Sequence, residues 1–445
     1  MATEVDLPVE QRIIQLLQHL GIQQAHFAAR GEADWSGLAG TQPEVIASLT
    51  LVCPNSLSPN TLRALSPRLL VFTGDRGATA EAVQRTVTSL PDATLVILRD
   101  YLSLNWADAV ADRTGDIGSA MLDLLSRMDQ LRRHRAVPLT ESEGEWAGIS
   151  YRIEGSGPPL VLLPLALAPS QWDPLVPRLS QHYCTITLGG AELGMVAILE
   201  TRAHAGYLVV VRDLMEEVKL RPGESILDVG CGSGVYDRWL ARRTGGANRI
   251  VGVDINRYLL REATALARKD GLEEGIEFRE SNAAALPFPD SSFDVAMSVT
   301  VMEEVDADQM LAEMVRVTKP GGRVAVIVRA MDLPWVVNAP LPAQLKAKVE
   351  APGGGMTSGV GELGCADASL YRRFHQARLT QVKMFPQWGA FDRSVASFLQ
   401  YLQARLIPTL SPEEANEWQA AVARAEAELT FFIAMPFHCA VGTKP

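Results

Sequence analysis

Three alternating glycines follow a short apolar run near the middle of the chain. Residues 226–234 read ILDVGCGSG, so a buried strand carrying Asp228 is expected to end in a loop that lets a ligand touch the backbone. The spacing differs from the G-x-G-x-x-G pattern that places a pyrophosphate at a helix N-terminus. A flatter loop of this kind suits a ligand without phosphates. The pattern therefore predicts a nucleotide-like cofactor that carries an adenosine and an amino acid.

A second candidate site residue is Asp254, which ends the next apolar run, residues 250–254 with the sequence IVGVD. The end of the strand that follows a glycine loop is the usual place for a carboxylate that holds a ribose. The two runs, separated by a segment expected to be a helix from about Val235, indicate part of a parallel α/β sheet.

The glycine loop is similar to motif I of the class I S-adenosylmethionine-dependent methyltransferases, and two later segments extend this resemblance. Residues 282–298 read NAAALPFPDSSFDVAMS and resemble the family's loop against the adenine, followed by the fourth strand. Residues 314–328 read MVRVTKPGGRVAVIV and resemble the helix, Pro-Gly-Gly turn and fifth strand of the quinone and sterol methyltransferase branch. The resemblance covers residues 202–442. It implies a seven-stranded Rossmann-like domain that binds S-adenosylmethionine.

The resemblance also implies which residues hold the cofactor. Asp228 would pair with the ammonium of the amino acid part, and Asp254 would accept from both ribose hydroxyls. Ile255 and Ala283 would flank the adenine. Asn282 stands where the family usually has Asp, and its amide is still able to bond the adenine amino group. The residues predicted to contact the cofactor are Tyr207, Asp228, Gly230, Cys231, Gly232, Gly234, Asp254, Ile255, Asn282, Ala283 and Ser298.

Candidate catalytic residues are less well marked. A sulfonium methyl is already an activated electrophile, so the protein mainly has to position the acceptor. His375 is a candidate base because an ordinary histidine titrates near neutral pH, and a surface or packing role is the alternative. Glu303 and Glu304, just after the fourth strand, are candidates on the same footing. Tyr207 is either a lid residue over the cofactor or part of the core.

Residues 353–359 are rich in glycine and form either a lid over the acceptor or a plain surface loop. Both alternatives stay open at this point.

Composition limits the classes of partner. The chain of 445 residues is long enough for two or three domains, and 41 Lys and Arg against 52 Asp and Glu give a net charge of −11. This balance argues against a nucleic acid or an anionic membrane as partner. Five scattered cysteines without a C-x-x-C pair fit a reducing cytosol, and no metal site is expected. We expect a cytoplasmic protein without signal peptide or membrane span, a small-molecule methyl acceptor, and possibly a homodimer.

Residues 1–200 alternate apolar runs with helical segments and predict a second parallel sheet. This part resembles an α/β-hydrolase whose halves stand in swapped order, the C-terminal half at residues 20–75 and the N-terminal half at residues 149–180. Such a permutation is tolerated when chain termini lie close together at the surface. The predicted division is therefore a hydrolase-like domain over residues 1–200 and a methyltransferase domain over residues 201–445. An unrelated α/β domain is the alternative for the first part.

Hydrolysis is not expected of the first domain. Gly31 stands where the resembled fold carries its nucleophilic Ser, and Pro164 with Leu165 replaces the His-Gly pair of the oxyanion strand. Residues 100–106, where the base is expected, contain no His. A scaffold that shapes the substrate pocket or an oligomer interface is the role that fits these losses.

The leading interpretation is a methyltransferase that acts on a specialised metabolite or a quinone-like compound. Two alternatives come from other classes: a bifunctional protein with residual hydrolase activity, and a protein that senses S-adenosylmethionine without transferring its methyl group.

Overall fold

The computed structural model describes residues 7–31, 35–55, 57–102, 108–131, 142–190, 193–355 and 360–445. The chain divides into two compact units, Met1–Ala197 and Ile198–Pro445. This division and the predicted boundary after residue 200 both lie within one helix, Gly194–Arg202.

The described part of the first unit holds an eight-stranded sheet in the order β4-β3-β2-β1-β7-β8-β6-β5. Its strands are β1 Ala25–Ala29, β2 Ile46–Val52, β3 Leu69–Arg76, β4 Thr94–Leu102, β5 Glu143–Trp146, β6 Ile149–Glu154, β7 Pro159–Leu162 and β8 Cys184–Gly189. Its helices are α1 Val9–His19, α2 Ser36–Thr41, α3 Pro59–Leu62, α4 Ala78–Thr88, α5 Ala109–Asp112, α6 Thr114–Leu131 and α7 Val176–Leu179, and α8 Gly194–Arg202 leads into the second unit.

Two sequence-contiguous halves build this first sheet. The strands β1 to β4 form one side, the strands β5 to β8 form the other, and the two meet where β1 pairs in parallel with β7. Every residue of β1 and β2 is buried, which suits central parallel strands covered on both faces. Only β5 and β6, at one edge, run antiparallel to their neighbours.

The described part of the second unit holds another eight-stranded sheet, in the order β11-β10-β9-β12-β13-β16-β14, with β15 paired to β16. Its strands are β9 Ile226–Val229, β10 Ile250–Asp254, β11 Ile276–Glu280, β12 Phe293–Val299, β13 Thr318–Arg329, β14 Val336–Asn338, β15 Thr380–Asp392 and β16 Phe432–Thr443. Its helices are α9 Leu208–Val218, α10 Val235–Arg243, α11 Arg257–Lys269, α12 Ala307–Val317, α13 Ala343–Val349, α14 Ser369–Gln376, α15 Ala396–Leu406 and α16 Pro412–Ala427.

The strand count corrects the prediction of a seven-stranded domain. The additional strand is β14, which spans three residues and pairs with Phe432–Ala434 at the end of β16. Three residues are too short to show the alternating pattern by which strands are recognised in a sequence. This strand forms because β16 extends past the end of β13 and offers free backbone groups there.

The position of the site follows from the order of strands in the second unit. The chain runs from β9 outward to β10 and β11, and then returns to place β12 on the other side of β9. Ligands of open α/β sheets bind at the carboxyl ends of the strands where the direction of winding reverses. In this unit that point lies between β9 and β12.

One helical stretch, Gly194–Val218, is long and apolar enough to cross a membrane by length and composition alone, and 44% of it is buried inside the protein. A core helix passes the same test, so the stretch is weak support for a membrane span. A π-helical segment at Ala203–Tyr207 interrupts it, with non-helical backbone angles at Ala205.

Candidate active site

The glycine loop turns sharply between β9 and α10. Gly230 has φ 81° and Gly234 has φ 69°, both in the left-handed region that favours glycine. A Cβ atom at Gly230 would overlap the side chain of Val301, and one at Gly234 would overlap the ring of Phe278. The loop is tied to the next strand by Gly230 N–H, which donates to the carbonyl oxygen of Val253 over 2.7 Å. The backbone is therefore bare on the side where a ligand approaches.

Asp254 is positioned by the same loop. Its Oδ2 accepts from Gly232 N–H over 2.9 Å, and its Oδ1 accepts from Asn256 N–H over 2.8 Å. Burial raises the pKa of Asp254, and the hydrogen bonds from Asn256 and Gly232 oppose that rise. Each carboxylate oxygen keeps a further lone pair, so the group is able to accept from two vicinal hydroxyls as predicted.

Asp228 is a buried acid that lacks a partner. It is 1% exposed, and neither carboxylate oxygen makes a hydrogen bond to any described residue. Burial raises its pKa well above the usual range, and the charges of Asp237 and Asp254 raise it further. A buried carboxylate of this kind needs a cation or a donor to be stable in its charged form. The ammonium of the cofactor's amino acid part fits this requirement.

Asp237, on the first turn of α10, is a site residue that the sequence reasoning missed. It is fully buried, its two carboxylate oxygens lack hydrogen bonds among the described residues, and burial raises its pKa to about 7. A carboxylate directly after a glycine loop was a visible signal, because acids favour the first turn of a helix. The structure instead places this one inward, against Gly252 and Cys231.

The predicted adenine contacts lie at the surface end of the site. Ile255 is 70% exposed, an unusual position for a large apolar side chain and one that suits contact with a flat ring. Asn282 is exposed, and its Oδ1 already accepts from Ala284 N–H over 2.9 Å. Ala283 beside it is half-buried.

Three other predicted cofactor contacts are occupied with packing. Ser298 is fully buried and donates from its hydroxyl to the carbonyl oxygen of Val229 over 2.7 Å, which joins β12 to β9. Cys231 is buried, and burial raises the pKa of its thiol. Tyr207 is 1% exposed, and its ring lies 4.8 Å from the ring of Phe437, in an aromatic cluster of the core. These positions correspond to the packing alternative for Tyr207.

Glu303 and Glu304 differ sharply although they are neighbours. Glu303 is fully buried, and its Oε1 accepts from the backbone N–H of Arg329 over 2.7 Å. Burial raises its pKa, and the charge of Arg329 opposes the rise. Glu304 keeps contact with solvent, and partial desolvation raises its pKa against the charges of Arg329, Arg202 and Arg405. Glu304 is thus the acid of this pair that is open to a ligand.

The histidine with a structured environment is His438 rather than His375. His375 is exposed on α14. His438 is 4% exposed, with Nδ1 2.8 Å from the hydroxyl of Tyr371 and Nε2 2.8 Å from Oδ1 of Asp332. Burial raises the pKa of Tyr371 to about 12. The three residues come from three distant segments, so no local pattern could have predicted the network.

The first unit contains the three residue types of a hydrolytic triad in a sealed position. His26 Nδ1 lies 2.8 Å from Oγ of Ser48, and its Nε2 lies 3.1 Å from Oδ1 of Asp129. Ser48 and His26 are fully buried within β2 and β1, so no substrate carbonyl is able to reach the hydroxyl. Tyr183 donates to the same aspartate over 2.9 Å, which makes the network a tie between α6 and the sheet.

Some predictions concern residues outside the described part of the chain. Residues 103–106, in the stretch searched for a hydrolase base, and residues 356–359, in the proposed lid, lie there. Gly31, which follows β1, is described and has open space where a side chain would project.

Comparison with known proteins places a methyltransferase domain in the second unit. Residues 227–326 match a family model described as a methyltransferase domain. The methyltransferase GfsG of Streptomyces halstedii is 38% identical over 129 residues, which are 29% of this chain and 45% of that protein. The ubiquinone/menaquinone biosynthesis C-methyltransferase UbiE of Hahella chejuensis is 38% identical over 117 residues, which are 26% of this chain and 47% of that protein. The chain thus spans about half the length of these relatives.

Among solved structures, the chain is similar to geranyl diphosphate C-methyltransferase from Streptomyces coelicolor A3(2) in complex with S-adenosyl-L-homocysteine. The identity is 16% and the TM-score 0.34, with 54% of this chain and 79% of that chain covered. The family match and the curated relatives support an S-adenosylmethionine-dependent methyltransferase, with S-adenosylmethionine as its cofactor.

Proposed function

We propose that this protein transfers a methyl group from S-adenosylmethionine to a small-molecule acceptor, a specialised metabolite or a quinone-like compound. The observation that carries the proposal is the buried Asp228 carboxylate, which lacks a hydrogen bond among the described residues at the edge of the bare glycine loop. The family match over residues 227–326 and the similarity to a quinone C-methyltransferase support it.

In this proposal each residue of the loop has one task. Asp228 pairs with the ammonium of the cofactor, and the glycines allow its amino acid part to approach the backbone. Asp254 accepts from the ribose hydroxyls, while Ile255 and Ala283 hold the adenine. The bound cofactor supplies a sulfonium methyl, which is electrophilic without further activation. The protein therefore contributes mainly by orienting the acceptor and excluding water.

The acceptor would enter where β12 and β13 end. Glu303 fixes the first residue after that edge through Arg329, and Glu304 faces the open side of the same place. Among the predicted bases Glu304 is best placed, because it keeps contact with solvent while its pKa is raised. His375 has an ordinary surface position.

The first test is calorimetric titration with S-adenosylhomocysteine. Asp254→Ala removes a charge-assisted pair of hydrogen bonds and should weaken binding by about 2–3 kcal/mol. Glu428→Ala, which removes an exposed carboxylate at the end of α16, is the matched control and should bind as the wild type does. Equal affinity of the Asp254→Ala variant would overturn the assignment of the site.

Methyl transfer itself separates an enzyme from a protein that only senses the cofactor. Wild-type protein that binds S-adenosylhomocysteine is incubated with methyl-labelled S-adenosylmethionine and a panel of phenols, quinols and acidic metabolites. Label in any acceptor supports the proposal. Tight cofactor binding without labelled product across the panel would favour the sensing alternative.

For the first unit we propose a permuted hydrolase-like scaffold without hydrolytic activity. The meeting of two sequence-contiguous halves at the pairing of β1 and β7 is the arrangement that swapped halves require. Gly31 and the sealed Ser48 speak against hydrolysis. A fluorophosphonate probe should leave this unit unlabelled, and labelling would instead support the bifunctional alternative. The cytoplasmic location, the absence of a membrane span and the possible homodimer remain predictions.

A further inference from the structure

Arg202 is a partly buried cation without an ordinary counter-ion. Its guanidinium lies 4.6 Å from the ring centroid of Tyr207, and its Nε is buried and makes no hydrogen bond to any described residue. Contact with an aromatic face stabilises a cation only modestly compared with a carboxylate partner. Arg202 also stands directly before the π-helical segment Ala203–Tyr207, and such interruptions are frequent at functional sites.

Two further polar groups with buried, unpartnered atoms accompany it. Tyr236, on the first turn of α10, is 6% exposed, and its hydroxyl makes no hydrogen bond to any described residue. Burial raises the pKa of this phenol, while the charge of Arg202 lowers it and the charge of Asp228 raises it, so both groups lie near the ring. The hydroxyl therefore remains a neutral donor close to the cofactor loop and to Arg202.

Backbone strain marks the adjacent strand end. Thr300 follows β12 with φ 54°, a left-handed conformation that is costly for a β-branched residue. Its hydroxyl is also buried without a hydrogen bond among the described residues. Such strain is retained when the surrounding structure holds a residue for a purpose, and here it lies at the edge where the acceptor enters.

Two more arginines surround this place. Arg329 ends β13, and Arg405 on α15 donates to the hydroxyl of Tyr401 over 2.8 Å. The charges of Arg202, Arg329 and Arg405 all act on Glu304, as does the charge of Asp254 from the cofactor site. Three cations thus lie near one another and near the position proposed for the cofactor. Glu303 is engaged with Arg329, so it does not neutralise Arg202.

From this juxtaposition we propose that the acceptor carries an anionic oxygen group, a carboxylate or an ionised enol or phenol, which is bound by Arg202 and by the hydroxyl of Tyr236. This inference rests on the proposed methyl transfer and names the chemical class of its acceptor. Arg329 and Arg405 add positive potential, which attracts the anion and helps to orient it. The three arginines thus explain why an acidic protein concentrates cations at the mouth of its candidate site.

The test measures whether the site prefers an anion over its neutral isostere. Full-length protein saturated with S-adenosylhomocysteine is titrated with benzoate and benzamide, and with octanoate and octanamide, by ligand-observed NMR. We expect each carboxylate to bind at least about tenfold more tightly than its amide, since hydrogen bonds to a charged group stabilise more than neutral ones. No carboxylate preference in either pair, including no binding at all, would overturn the proposal.

Variants assign the preference to the named residues. Tyr236→Phe removes a hydroxyl that has no partner among the described residues, so the fold should be retained while carboxylate affinity falls about threefold or more. Arg202→Gln should abolish the preference, and Arg212→Gln, on the exposed side of α9, should keep it. Carboxylate binding that survives in both Tyr236→Phe and Arg202→Gln would refute the assignment.

The cofactor separates failure of this inference from failure of the proposed function. S-adenosylhomocysteine should bind the two site variants with wild-type affinity, because neither residue is assigned to the cofactor. If S-adenosylhomocysteine does not bind the wild type, the proposed function fails. The carboxylate preference is then measured on the protein alone and still decides whether an anion site exists.

Discussion

Asp237 makes the sharpest quantitative prediction for the second unit. Its carboxylate is fully buried without a hydrogen bond among the described residues, and its pKa rises from 3.8 to about 7. The unfolded chain releases this proton near pH 4, whereas the native protein retains it to about pH 7. Stability must therefore fall as the pH rises through this window, because the unfolded state binds fewer protons there.

The magnitude follows from the size of the shift. At about 1.4 kcal/mol per pKa unit, the buried charge of Asp237 destabilises the native state by about 4 kcal/mol at about pH 8. Asp237→Asn keeps the shape of the side chain without the charge. We expect its stability advantage over the wild type to be larger at about pH 8 than at about pH 5, by about 3 kcal/mol.

Urea unfolding followed by tryptophan fluorescence measures this difference. The transition that belongs to the second unit is identified as the one that S-adenosylhomocysteine shifts to higher urea. Glu428→Gln, at an exposed carboxylate, should show no such pH dependence relative to the wild type. A stability difference between Asp237→Asn and the wild type that is the same at both pH values would refute the reasoning.

Two further predictions concern packing and a buried network. Gly230→Ala should destabilise the second unit by about 2 kcal/mol or more, because the added Cβ meets Val301 and φ is positive; thermal unfolding measures this, and Val301→Ala in the same chain should recover part of the loss. His438→Ala should cost about 2 kcal/mol in the free energy of unfolding, because the buried hydroxyl of Tyr371 and the carboxylate of Asp332 lose their partner. His375→Ala is the surface control, and equal losses for the two histidines in urea unfolding would contradict the network.

The cofactor loop was predictable because everything that shapes it is local in the sequence. A strand, three glycines and a helix occupy residues 226–243, and Asp254 follows at the end of the next strand. Glycine is required there by the backbone conformation at Gly230 and Gly234. A pattern of this kind carries its own geometry, since the parallel sheet brings the ends of adjacent strands together.

The acceptor side could not be predicted, because it is assembled from distant segments. Arg202, Tyr236 and Arg405 lie on three different helices, and no spacing in the sequence relates them. The same holds for Tyr371 and His438. His375 was chosen because histidine is a common base, but whether a side chain on an isolated helix faces the solvent or the core depends on packing that the local sequence leaves open.

The distribution of unsatisfied buried groups distinguishes the two units. In the first unit the buried His26 is bound by Ser48 and Asp129, so that network is complete without a ligand. Within the described part of the chain, the buried carboxylate oxygens without a hydrogen bond belong to Asp228, Asp237 and Glu303, all in the second unit. A fold that leaves several acids unpaired sacrifices stability unless a ligand supplies the missing partners. We therefore expect the cofactor to stabilise the second unit by more than its contact area suggests, because it completes hydrogen bonding that the chain alone leaves unfinished.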